Sequence, residues 1–125
     1  MISLINLQLG NTMNVYDQAH GLAKAIKASE EFKQYDRTKQ LVAQNSELDK
    51  MLKDFQQKQF EIQAKQMMGE QLTPEMMASV QELYSIVLKD PLAAEHLQNE
   101  MRFSIMMKDV YQIIGEATGM GDLIG

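Results

Sequence analysis

The 125 residues predict an all-α protein, an antiparallel bundle of about five helices with one long central helix and a mobile, Gly-rich C-terminal tail. Three observations carry that expectation. Helix-favouring Gln, Met, Leu, Glu, Lys and Ala abound, while Pro occurs only twice. Both prolines follow a capping residue, as Thr73-Pro74 and Asp90-Pro91, so they stand where helices start. Apolar residues recur three and four apart along most of the chain, and past the ambiguous first ten residues no stretch keeps strand alternation.

The first helix is expected from about Asn14 to Ser29, with Val15, Ala19, Leu22, Ala23 and Ile26 on one stripe. Ser29-Glu30-Glu31 reads as the cap of a second helix, or as a kink in one longer helix, with Phe32, Tyr35, Val42 and Ala43 on one side. A third helix begins near Ser46, where the Ser46-Glu47-Leu48-Asp49 run sets an acid at the third position, and stops at Gly69. Its main stripe is Leu48, Met51, Leu52, Phe55 and Ile62; Phe60, Ala64 and Met67 make a second stripe, rotated around the helix. Gln59 and Gln66 interrupt the first seam, either as a polar register device or because the seam is partly exposed.

Helix four starts at Pro74 and buries Met76, Val80, Leu83, Tyr84 and Val87. Helix five opens at Pro91 and is expected to reach about Ile114. Leu92, Phe103, Met106, Met107, Val110 and Ile114 lie on one side of it, and Leu97, Met101, Ile105 and Tyr111 on another. Only a strip around Gln98, Arg102 and Asp109 looks fully wet, so this helix must be central in a bundle or lie in a subunit interface.

Composition narrows the function. A formal charge of −5 argues against unaided nucleic-acid binding and against docking on an anionic membrane. The absence of Cys removes disulfides, thiol catalysis and cysteine-held iron–sulfur clusters. The start lacks a basic n-region and is too short to span a bilayer, so a soluble cytoplasmic protein is expected.

No nucleophile elbow, phosphate loop or dinucleotide fingerprint occurs. His96 and Glu100 are one helical turn apart, but two ligands are too few for a metal and His20 is distant, so His96 reads as an ordinary polar helix position. Glu30 and Glu31 read as acids favoured by a helix start; Asp17 and Glu95 offer no better case for acid–base chemistry. The acids and lysines between Asp49 and Lys65 read as a solvated face with helical ion pairs. No catalytic, cofactor-binding or metal-binding residue is therefore assigned, no cofactor is expected, and the protein is not expected to be an enzyme.

Eleven methionines are the distinctive feature. Met67, Met68, Met76 and Met77 flank the Gly69 turn, and Met101, Met106 and Met107 crowd helix five. The first expectation is that they fill the core; exposed, they would form a deformable docking surface.

The order of motifs resembles the YlbF/YmcA family of bacterial proteins. The matching pieces are Asn14-Val-Tyr-Asp-Gln-Ala-His-Gly-Leu-Ala23, Ser29-Glu-Glu-Phe-Lys-Gln-Tyr35 and Phe55-Gln-Gln-Lys-Gln-Phe-Glu-Ile-Gln-Ala-Lys-Gln-Met-Met-Gly69. Leu83-Tyr84, Asp90-Pro91, Glu100-Met-Arg-Phe103 and Asp109-Val-Tyr-Gln-Ile-Ile114 complete the series. The resemblance implies a helical domain over residues 14–116. It leaves 1–13 as a native extension or a misassigned start, ordered or not, and 117–125 as a flexible tail.

It also implies a self-associating, non-enzymatic regulator. Members of the family act in competence, sporulation and biofilm formation, in a complex of sister proteins that modulates RNase Y and so mRNA processing. The complex-forming members hold iron–sulfur clusters through cysteines. This chain has none, which points to a cysteine-free paralogue. The expected partners are proteins, as sister family members, an RNA-processing complex or a second copy in a homodimer, with no direct nucleic acid and no membrane. A structural or chaperone-like protein binding through Met-rich surfaces is the alternative.

Overall fold

A computed structural model describes residues 14–120; the expectations placed on residues 1–13 and on 121–125 of the tail lie outside the described residues. Five helices are present and no strand occurs among the described residues: α1 (Val15–Ala28), α2 (Glu30–Ala43), α3 (Ser46–Met67), α4 (Pro74–Leu88) and α5 (Pro91–Thr118). The chain divides into two compact units, before and after the Lys33–Gln34 bond.

In the first unit, Asn14 caps α1 by accepting from the amides of Tyr16 (2.8 Å) and Asp17 (3.4 Å). No residue of α1 is buried, and of its expected stripe Ile26 alone is half-buried. Ser29 is a true break, with extended backbone at ψ 152°. Its hydroxyl serves both helices, donating to the Ile26 carbonyl (2.6 Å) and accepting from the Phe32 amide (3.2 Å).

In the second unit the rest of α2 joins α3, α4 and α5. The cap of α3 is one residue earlier than the Ser46-Glu47-Leu48-Asp49 pattern suggests. Asn45 accepts from the Leu48 amide (3.1 Å) and leaves Ser46 as the first helical residue. At the other end Gly69 takes φ +78°, and the amides of Gly69 and Glu70 return to the carbonyls of Gln66 and Lys65. That closure satisfies carbonyls the helix leaves free and requires a residue without a Cβ penalty.

Thr73 and Asp90 cap α4 and α5 as the prolines predict. Thr73 accepts from Met76 (3.2 Å), and Asp90 accepts from Leu92 (2.9 Å) and Ala93 (3.1 Å). Helix α5 runs past Ile114 to Thr118, a span of about 42 Å at 1.5 Å per residue. Gly115 is buried inside the helix, and the left-handed stop falls at Gly119, φ +73°. A single helical Gly costs only about 1 kcal/mol, too little to end a long, packed helix.

The core is small. Val42, Leu48, Leu52, Phe55, Val87 and Ala93 are buried, with Met51, Val80, Leu83, Leu92 and Leu97 packed against them. Phe55 of α3 stacks on Tyr84 of α4, centroids 5.6 Å apart. α2 runs antiparallel to α5, since Tyr35 stacks on Phe103 while Thr38, farther along α2, meets His96. α5 thus contacts α2, α3 and α4, as a central helix must.

Two further apolar stripes stay largely uncovered. Phe60 is 71% and Met67 88% exposed, because they lie off the Leu48, Leu52 and Phe55 side of α3, which forms the core. On α5, Met101 and Ile105 are 64% and 55% exposed.

Candidate functional site

Where α2 crosses α5, polar side chains occupy core positions. Thr38 falls in step with Tyr35 and Val42, and His96 and Asn99 fall in step with Leu92 and Phe103. Helical spacing therefore turns these three inward, and all three are buried. Thr38 Oγ1 lies 2.8 Å from His96 Nδ1. Asn99 Nδ2 donates to Thr38 Oγ1 (3.3 Å) and to the Gln34 carbonyl (3.1 Å). The one hydroxyl proton of Thr38 goes either to Nδ1 of neutral His96 or to the carbonyls of Gln34 and Tyr35, at 3.1 and 3.2 Å.

Tyr35 roofs the cluster, stacked on His96 at 5.6 Å and on Phe103 at 5.1 Å, with the Lys39 ammonium 5.7 Å from its ring centroid. Burial holds the His96 imidazole below its ordinary pKa, the Glu100 carboxylate pulls it back up, and Lys39 pushes it down further. At the rim Arg37 pairs with Glu95, both nearly half exposed.

His96, read from sequence as an ordinary polar helix position, is buried in this network. Its i+4 neighbour Glu100 turns towards α3 and accepts from Gln56 (3.1 Å). The pair makes no metal site, and among the described residues no group of three or more His, Asp or Glu side chains is placed to hold an ion. His20, Asp17 and Glu31 are exposed on separate turns, and Glu95 is held by Arg37. Thr38 and Asn99 went unremarked at the sequence level. Their signal was phase: a polar residue in step with an apolar stripe is either an error in the stripe or part of a buried network.

Outside this cluster, two open features occur among the described residues. A cleft of about 560 Å³ between α3 and α4 is walled by Asp54, Lys58, Glu61 and Glu82. A more apolar groove of about 360 Å³ runs between α3, α4 and α5, with Phe55, Tyr84, Leu88, Leu97 and Met101 along it and Gln59, Gln98 and Glu100 at its polar edge. Met67, Met68 and Met77 beside the turn are exposed, as is Met101, so the expectation that they fill the core fails for these four.

Residues 15–118 match a family model described as control of competence regulator ComK, YlbF/YmcA. The chain belongs to the YlbF/YmcA family. It is similar to the UPF0342 protein of Caldicellulosiruptor saccharolyticus, 37% identical over 87% of this chain and 91% of that one. It is similar also to those of Symbiobacterium thermophilum (35%, covering 82% and 92%) and Desulfitobacterium hafniense (39%, covering 84% and 85%). Among solved structures, a protein of unknown function (DUF964) from Bacillus stearothermophilus aligns with TM-score 0.69 and 25% identity, covering 83% of this chain and 91% of that one. The YlbF/YmcA family is regulator-associated and is not a known enzyme class. No helix among the described residues is long and apolar enough to cross a membrane.

Proposed function

We propose that the protein is a non-enzymatic, cytoplasmic adaptor that regulates by binding other proteins, in competence, sporulation, biofilm control or RNase Y-linked mRNA processing. The observation that carries this reading is the family match across all five helices, on a surface rich in unpaired apolar side chains. Tyr84, Leu88 and Met101 beside the α3–α4–α5 groove form a patch of the kind that marks protein-binding sites. Partners fitting the reading are sister family members, an RNA-processing enzyme, and a second copy of this chain. The net charge of −5 favours protein partners over direct contact with nucleic acid.

Affinity capture of the tagged protein from its native host, with nuclease treatment and mass spectrometry against an untagged control, tests it. An RNA-processing enzyme or sister protein that survives nuclease is the expected recovery. Recovery of the bait alone would sink the adaptor reading.

Exposed Met67 and Met68 favour a second, chaperone-like reading, since thioether side chains adapt to many apolar surfaces. That reading requires the protein to suppress aggregation of unrelated heated clients. Clients that scatter light as strongly with it as without it would remove this option.

A further inference from the structure

We propose that the adjacent thioethers of Met67 and Met68, at the end of α3, are a reversible oxidation site, where a peroxide turns an apolar tip polar without unfolding the chain. The site stands on its own chemistry. The adaptor and chaperone-like readings would give it a consequence, but it does not rest on either.

The argument begins with the sulfur available. Cysteine thiolates are ordinarily the first sulfur to meet an oxidant, and this chain has none. Its oxidisable sulfur is therefore all thioether, and exposure sorts the methionines. Met67 and Met68 are 88% and 73% exposed. Met101 follows at 64%, whereas Met51, Met76, Met106 and Met107 are half-buried.

Position adds to exposure. Met67 is the last residue of α3 and Met68 is its C-cap. Oxidation starts when the sulfur gives a lone pair to one peroxide oxygen, so positive charge grows on sulfur as the O–O bond breaks. The carbonyl end of a helix favours positive charge within its last turn. Met101 lies in the middle of α5 and lacks that help. The departing oxygen leaves as hydroxide and takes the proton from the oxygen delivered to sulfur. One thioether and one hydrogen peroxide thus give one sulfoxide and one water, with the sulfur oxidised and the peroxide reduced.

The fold is built to survive the change. Neither side chain belongs to the buried core. The turn that follows is closed by the amides of Gly69 and Glu70 on the carbonyls of Gln66 (3.1 Å) and Lys65 (2.9 Å), bonds that use no side-chain atom. What changes is the surface, because a sulfoxide oxygen accepts hydrogen bonds from water and resists burial in an apolar contact. Methionine sulfoxide reductases reverse the step, a sulfoxide and two thiols giving thioether, disulfide and water.

Timed treatment of the full chain with hydrogen peroxide, read by peptide mass spectrometry, tests the proposal. Met67 and Met68 are expected to gain oxygen about threefold or more faster than Met101, and faster still than the half-buried methionines. Retention on a hydrophobic-interaction column should fall as the pair oxidises, with helix content and thermal midpoint unchanged. The reductases with dithiothreitol should restore it. The double variant Met67→Leu, Met68→Leu keeps the apolar volume and removes the sulfur, so it should hold its retention at the same peroxide dose.

Met101 or a half-buried methionine oxidising as fast as the pair overturns the proposal. So does an equal loss of retention in the double variant, unfolding that accompanies oxidation of the pair, or a sulfoxide that the reductases leave in place. The adaptor reading is decided separately by affinity capture, which either result here leaves untouched.

Discussion

His96 carries much of the specificity of the α2–α5 contact, because its position between Thr38 and the Tyr35 ring demands a neutral, directional partner. Replacing Thr38 by Val keeps the shape but removes the group that satisfies His96 Nδ1 and accepts from Asn99. Buried polar atoms left without partners cost about 1–3 kcal/mol, and urea unfolding of Thr38→Val should show a loss on that scale. The lowered pKa of His96 gives a pH prediction whose sign is settled by which state binds the proton. The unfolded chain takes it up near the ordinary value of about 6.5 and the folded chain only below that, so acid favours unfolding. This part of the stability is full above pH 6.5 and is lost as the pH falls from there through the lowered folded value, beyond which it levels off. His96→Gln should flatten the change in urea midpoint between pH 7.5 and 5; an equal slope in both proteins would show that other groups set it. The rim pair Arg37–Glu95 is too exposed to matter at this scale, at about 0–1 kcal/mol.

The helices obey local rules at their ends and tertiary rules along their lengths. Four of the five starts were legible from cap chemistry, because Asn14, Ser29, Thr73 and Asp90 satisfy free amides with side chains only three or fewer residues away. Helix α3 begins at Ser46 as expected, but its cap is Asn45, because Asn45 and Ser46 are both competent caps and only geometry ranks them. Asp90 holds two amides at the start of the central helix. Asp90→Ala should lower stability by about 1 kcal/mol, read as a shifted thermal midpoint, with the helix otherwise retained. Helix α5 runs four residues past the expected end at Ile114, because packing carries it through buried Gly115 to the left-handed stop at Gly119.

At the scale of the molecule, the decisive question is which apolar faces the fold covers. Phe55 and Phe60 are the same residue type, on the same helix and five residues apart, yet Phe55 is core and Phe60 faces solvent. Phe55→Ala should cost about 3–5 kcal/mol in equilibrium unfolding, while Phe60→Ser should leave stability within about 0.5 kcal/mol. A large effect at Phe60 in the isolated chain would mean that its stripe is covered in solution, most simply by another molecule. The six-residue buried apolar core and the exposed side chains of α3 and α5 are two aspects of one arrangement, in which much of the apolar surface of these helices stays uncovered.

The sequence by itself determined the helical class, the number and order of the helices, most of their caps and the family, because each follows from periodicity and from contacts within a few residues. Only the tertiary structure decided that Thr38, His96 and Asn99 form a buried network, and that Phe60, Met67, Met101 and Ile105 stay outside. Periodicity shows that a helix has an apolar face, but which face is covered depends on where a second helix lies, and that is set by residues distant in sequence, as Tyr84 is from Phe55 and His96 from Thr38.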